Sequence, residues 1–333
     1  MNNPYHNRPE HSFWKKAVFE RQDAIAPVMA KAFTVDPDDQ LVTAGSCFAQ
    51  NLGRHLRDST GANYHQAEPL LPDDPVFSAR TGNVYTALQL LQLFEECQSG
   101  EVDPACAVER RDGRYVDIHR PYMDPQGYAT AQEVIDARAI HLEAVREMFT
   151  TAGVFVFTLG LTEAWHDTAT GRALPVCPGL YTDDESLKYH FHNYSYAEVD
   201  AAMDRFTEGF SAINPDAKIL LTVSPVPLTA TYTEDHVLVA TMHSKSILRV
   251  VCSSQTERHA NTYYFPSYEM ISNPYTAGTP YAPDNLRSIL RPPITQVMVF
   301  FEREYLGKSA SDTETQETEV MCDEVEIERS MGF

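Results

Sequence analysis

Apolar residues along this chain follow two patterns. Residues 154–159 (VFVFTL) and 218–223 (KILLTV) are apolar at almost every position, as expected for strands covered on both faces of a parallel sheet. Elsewhere the apolar positions recur every three or four residues. Phe48, Leu52 and Leu56 predict a helix over 47–56, and Val84, Leu88, Leu91 and Phe94 predict one over 84–96. Ile135, Leu142, Val145 and Phe149 predict a third over 131–150, with Glu143, Arg146 and Glu147 outward. Val199, Met203, Phe206 and Phe210 predict a fourth over 197–213, ended by Asn214-Pro215. Strands are expected at 40–44 and 262–266, and helices at 237–253 and 293–305, the last opened by tandem proline.

Strand and helix alternate regularly. That order predicts an α/β domain with a doubly wound, mostly parallel sheet of about five strands, helices on both faces, and ligands beyond the carboxyl ends of the strands. Residues 101–128 and 166–196 interrupt the alternation and read as insertions. Residues 1–39 are polar and proline-punctuated, with a short helix expected at 13–24, and read as an arm packing on the body at 40–308. Residues 309–333 hold eight acids and one base and read as a solvated, disordered tail.

Composition narrows the partners. The net charge is −21 over 333 residues, and that field repels a nucleic-acid backbone. No stretch of about 18 apolar residues is present, so no membrane partner is expected, and no leader pattern opens the chain. The six cysteines form no CxxC pair, which argues against a zinc site and a disulfide framework. These features together lead to the expectation of a soluble cytoplasmic protein with no cofactor and no metal; oligomeric state stays open.

The sharpest local feature is Thr43-Ala44-Gly45-Ser46-Cys47-Phe48-Ala49, a serine where a strand turns into a helix. A serine there can point its hydroxyl over the sheet's carboxyl edge, next to backbone N–H groups that receive an oxyanion. It can equally cap the helix.

The motif A-G-S-C-F-A in this setting resembles the GSCFA family. Further blocks in the same order extend the resemblance over about residues 3–306: Asn3-Pro-Tyr with Phe13-Trp14, Gly82-Asn-Val-Tyr-Thr86, Phe157-Thr-Leu-Gly-Leu-Thr-Glu-Ala-Trp165, Thr222-Val-Ser-Pro-Val-Pro227, Ser244-Lys-Ser and Tyr264-Phe-Pro-Ser-Tyr-Glu269. That family is similar to the SGNH/GDSL hydrolases, which implies a flavodoxin-like fold and serine chemistry on acyl esters. By that resemblance Ser46 is the nucleophile, Gly82 followed by Asn83 supplies the oxyanion glycine, and Gly160 and Thr162 stand in the third block, a hydroxyl replacing the usual side-chain amide. Asp284 and Arg287 occupy the place of the C-terminal Asp and His. Arginine stays protonated and cannot accept the serine proton.

A replacement base is therefore needed if the chain is an enzyme. His236 follows a strand end and is the better-placed candidate; His243 and His166 are others, each with a plain alternative as a solvated or locally bonded side chain. Glu163 could orient such a histidine or act on water, and Tyr85 could touch substrate or pack in the core. Cys47, one residue inside the helix, is expected to point away, and His190 and His192 read as a loop pair. Two functions remain open. One is a serine esterase or O-acyltransferase acting on a small or carbohydrate acyl ester. The other is a catalytically silent protein that binds a carbohydrate or nucleotide sugar and holds an anionic group with Arg287. A histidine nitrogen within reach of Ser46 Oγ supports the first, and its absence supports the second.

Overall fold

The structure, a computed structural model, describes residues 3–21, 33–58, 61–71, 74–273, 279–307 and 325–332. In chain order the elements are α1 (Trp14–Ala17), β1 (Leu41–Gly45), α2 (Ala49–Asp58), α3 (Ala87–Ser99), β2 (Ala107–Glu109), β3 (Tyr115–Asp117), α4 (Ala131–Thr151), β4 (Val154–Leu159), β5 (Glu163–Asp167), β6 (Ala173–Leu174), β7 (Tyr189–Asn193), α5 (Tyr196–Ile213), β8 (Lys218–Val223), α6 (Val237–Arg258), β9 (Thr262–Tyr264), α7 (Ser267–Ser272), α8 (Arg291–Tyr305) and α9 (Val325–Met331), with short 3-10 turns between some of them.

Four strands form the central sheet in the order β1-β4-β8-β9, every neighbouring pair parallel. The expected count of about five falls to four because the segment beside β1 meets it through a single parallel bridge, Leu41 to Tyr64. β4 and β8 lie in the middle and bury nearly all of their residues, which is why they read as unbroken apolar runs. Alternate positions feed two cores. Phe155, Phe157, Leu159, Ile219, Leu221 and Val223 pack against residues of α3, α4, α5 and α6, while Leu41, Val154, Val156 and Leu220 pack against α2, α7 and α8. The result is a mixed α/β fold with helices on both faces, consistent with a flavodoxin-like architecture.

Helix starts account for most shifts between expectation and structure. The helix expected from 84 begins at Ala87, because Thr86 caps it and Gln89 returns the capping bond; Val84 sits in the preceding turn. α5 begins under a similar box of Ser195 and Glu198. α6 runs five residues beyond the expected 253, to Arg258. The stretch expected as one helix at 13–24 is broken into the four-residue α1 and flanking 3-10 turns, and its end lies outside the described residues.

The two interruptions become small antiparallel units. Residues 107–117 form the β2–β3 hairpin, and β6-β5-β7 form a three-stranded sheet. The strands β2, β3 and β6, of two or three residues, are too short to show a period. The arm reaches the body where Val35 N–H donates to Tyr305 O (2.8 Å) and Phe33 packs on Tyr263 and Tyr305. Most of the acidic tail lies outside the described residues, but Val325–Met331 is helical.

Candidate functional site

β1 ends at Gly45, whose φ of 139° suits glycine. A Cβ there would lie 2.6 Å from Thr158 O and 2.7 Å from Thr158 N, so only glycine lets the chain run this close to β4. Gly45 thereby delivers Ser46 to the carboxyl edge of the sheet. Ser46 N–H donates to Thr158 O (3.0 Å), and Ser46 O accepts from Ala49 N–H (2.8 Å) at the start of α2. Its side chain caps nothing. Ser46 Oγ is buried and has no hydrogen-bond partner among the described residues.

Gly160 closes over the serine. A Cβ on Gly160 would fall 2.9 Å from Ser46 Cβ, 3.1 Å from Tyr85 Cδ1 and 3.2 Å from Tyr85 O, so the third block requires glycine through close approach alone. Gly160 N–H and Leu161 N–H both donate to Tyr85 O (2.8 and 3.0 Å). The Tyr85 ring is buried with Leu161, Leu228 and Ala240. Val84 N–H donates to Gly45 O (2.9 Å), and Gln50, the second residue of α2, donates from Nε2 to Asn83 Oδ1 (3.0 Å). The turn at 82–86 is thus fastened to β1, α2 and β4. Gly82 itself packs towards Met123 and Arg120, and it precedes the helix by four residues rather than opening it.

The remaining expected oxyanion donors have other partners. Ser46 N–H is taken by Thr158 O, as above. Thr162 N–H donates to Ser244 Oγ (3.0 Å) and Thr162 Oγ1 to Asn193 Oδ1 (2.8 Å), with Thr162 fully buried. A residue without an assigned role enters here. Lys245, buried on α6, donates from Nζ to Gly160 O (2.7 Å), holding the turn that presses on Ser46. Its only sequence signal was membership of the Ser244-Lys-Ser block.

The candidate bases lie elsewhere. All twelve histidines fall among the described residues, and none bonds Ser46 Oγ. His236 is the exposed N-cap of α6, its Nδ1 accepting from Leu238 N–H (3.2 Å). His243 is exposed, and its charge is one of several acting on Glu163. Glu163 accepts from Thr231 Oγ1 (2.6 Å) and Tyr232 N–H (3.1 Å), and burial pushes its carboxyl above the usual range. These bonds make it a tie between β5 and the 229–235 loop. His166 belongs to the three-stranded sheet, with Nε2 on Tyr194 OH (2.5 Å) and Nδ1 on Gly171 O (3.2 Å). His190 stacks on His166 (5.3 Å), and His192 pairs with Glu198 (2.8 Å). Among the described residues no group of three or more His, Cys, Asp or Glu side chains is arranged to hold a metal. Cys47 is buried in the core.

Asp284 and Arg287 sit on a loop closed by Ala282 N–H to Ser288 O (2.7 Å) and docked on the 224–227 segment through Tyr281 OH to Pro225 O (3.0 Å). Asp284 is exposed. Arg287 is half-buried and donates from Nε to Pro227 O (3.1 Å). Leu286 just before it has φ of 50°, a left-handed conformation that a leucine adopts only under constraint.

A four-stranded parallel sheet flanked by helices, with a buried serine at the end of its first strand closed over by a glycine turn from the second, defines a mixed α/β protein consistent with a flavodoxin-like fold. The chain belongs to the GSCFA family, whose model matches residues 40–301, most of the chain. No curated protein matches it. No helix of the described residues is long and apolar enough to cross a membrane.

Proposed function

We propose that this GSCFA protein binds a small polar ligand of carbohydrate or nucleotide-sugar type at the carboxyl edge of its sheet and does not hydrolyse it. The observation that supports this reading is the absence of a histidine partner for Ser46 Oγ, together with Arg287 in the place where a hydrolase of this type would keep its base. A guanidinium cannot remove the serine proton, but it holds a carboxylate or phosphate through paired N–H donors. Of the donors that would form an oxyanion hole, Ser46 N–H and both groups of Thr162 are engaged with Thr158, Ser244 and Asn193. A tetrahedral oxyanion at Ser46 would have to displace those bonds.

One observation favours the second reading, a serine esterase or O-acyltransferase acting on a small or carbohydrate acyl ester with Ser46 as nucleophile. A buried hydroxyl with no partner costs about 1–3 kcal/mol, and such a group at a strand end matches a nucleophile awaiting substrate. Calorimetric titration of the full chain with UDP-glucose, beside a p-nitrophenyl acetate assay, separates the two. The binding reading expects saturable binding, weakened at least tenfold in Arg287→Ala, and ester turnover no faster than in Ser46→Ala. Turnover that is lost in Ser46→Ala, with no effect of Arg287→Ala on binding, reverses the assignment.

A further inference from the structure

Beside the Asn83 turn, on the side held by the β2–β3 insertion, lies a small cavity. Its wall includes Asn83, His119, Arg120, Arg138, His141 and Arg172 and no carboxylate. The carboxylates that balance these arginines stand behind the wall. Arg138 donates from Nε to Glu96 and from Nη1 to Asp117 (both 2.8 Å), Arg120 pairs with Asp117 (3.1 Å), and Arg172 pairs with Glu96. His141 Nδ1 meets Glu68 at 2.7 Å. The amide acceptors in the wall are already used: Asn83 Oδ1 by Gln50, Gln89 Oε1 by Tyr85 and Thr86 N–H, and Gln92 Oε1 by Ala173 N–H.

Three guanidinium groups therefore supply most of the donors that line the space. One of them has no partner: Arg172 Nε is buried and unbonded among the described residues. The two histidines register the same field. Burial and then the charges of Arg138 and Arg172 hold His119 well below its usual pKa, and burial and then Arg120 push His141 down to about 4. The guanidinium groups thus line the cavity, and the carboxylates that balance them stand behind it. The cavity volume is about 30 Å³, room for about two water molecules. That is the size of the two oxygens of a carboxylate, and too small for a sugar ring.

We infer that this cavity is a carboxylate-binding site, taking either a free small carboxylate or the carboxylate end of a larger ligand, with Arg172 Nε–H as a principal donor. Through Asn83 and Gln50 the occupied cavity is joined to α2, the helix that Ser46 precedes. The site does not depend on which reading of Ser46 holds, because its residues and its test are separate from the serine.

Equilibrium dialysis of the full chain against ¹⁴C-acetate at constant ionic strength tests the inference, with inorganic phosphate and chloride as competitors. Saturable, one-to-one acetate binding is expected, at least tenfold weaker in Arg172→Gln and in Arg172→Lys, which keeps the charge but lacks Nε–H, and unaffected in Arg205→Gln on the distant surface. Asn83→Asp, which puts a carboxylate into the wall, is expected to abolish binding and serves if the Arg172 variants fail to fold. No saturable binding up to 50 mM acetate, or equal binding by folded Arg172→Gln, overturns the site. Phosphate displacing acetate at a lower concentration than acetate itself requires reassigns it to phosphate and overturns the carboxylate inference.

Discussion

The serine edge of the sheet and the layer between α3, α4 and the β2–β3 hairpin bury polar groups in opposite ways. Around Ser46 the surroundings are backbone, glycine and the Tyr85 ring, and one hydroxyl is left without a partner. Further along the chain, the second region packs Glu96, Asp117, Arg120 and Arg138 into the interior, each in at least one ion pair. The second arrangement is what burial of charge demands, since an unpaired ion costs several kcal/mol. The first is what a site that awaits a ligand shows. Paired charges hold the insertion in place; Ser46 Oγ and Arg172 Nε are among the buried polar atoms that have no partner among the described residues, and they are the two at which we propose a ligand.

The strongest way to break that contrast is Arg138→Ala. It removes one of the two arginine partners of Glu96 and of Asp117, both buried, and is expected to cost about 3 kcal/mol in urea unfolding. A loss below 1 kcal/mol would mean that the charge layer is not structural. The next effect is a pH dependence. His141 titrates near 4 in the folded chain against 6.5 when unfolded, so the folded state resists protonation. Its contribution is complete above pH 6.5 and declines as pH falls towards 4, by about 3 kcal/mol for a shift of this size. Unfolding free energy followed from pH 7 to pH 4 is expected to lose that slope in His141→Asn.

The serine edge should respond to volume rather than charge. Gly160→Ala places a methyl 2.9 Å from Ser46 Cβ and close to the Tyr85 backbone, an overpacking expected to cost about 1–3 kcal/mol in thermal or urea unfolding. The smallest effect belongs to Ser46→Ala. Removing a buried hydroxyl that bonds nothing is expected to leave stability unchanged or to raise it by about 1 kcal/mol. A clear loss would show that the hydroxyl has a partner in solution.

These two regions were unequally legible in the sequence. Val154–Leu159 and Lys218–Val223 stood out because central parallel strands are apolar on both faces, and the serine turn stood out because Gly45 and Ser46 form a local motif. The charge layer gave no such signal. Arg138 reaches Glu96 and Asp117 across 42 and 21 residues, and each of those side chains, taken locally, resembles a solvated helix or loop face. His119 and Arg172 were hidden for the same reason. Lys245 belongs to a recognisable block, but its reach to Gly160 O spans 85 residues and depends on how α6 packs over β4. His236 was placed well along the chain and poorly in space: the helix takes its ring as a cap.

The central claim is that Ser46 occupies a nucleophile's position without a base. Incubation of the full chain with a fluorophosphonate probe at pH 7.5, followed by intact-mass measurement, tests it most directly. The account predicts an unmodified mass for the wild type. A stoichiometric adduct on the wild type that disappears in Ser46→Ala would contradict it and return the protein to the serine enzymes.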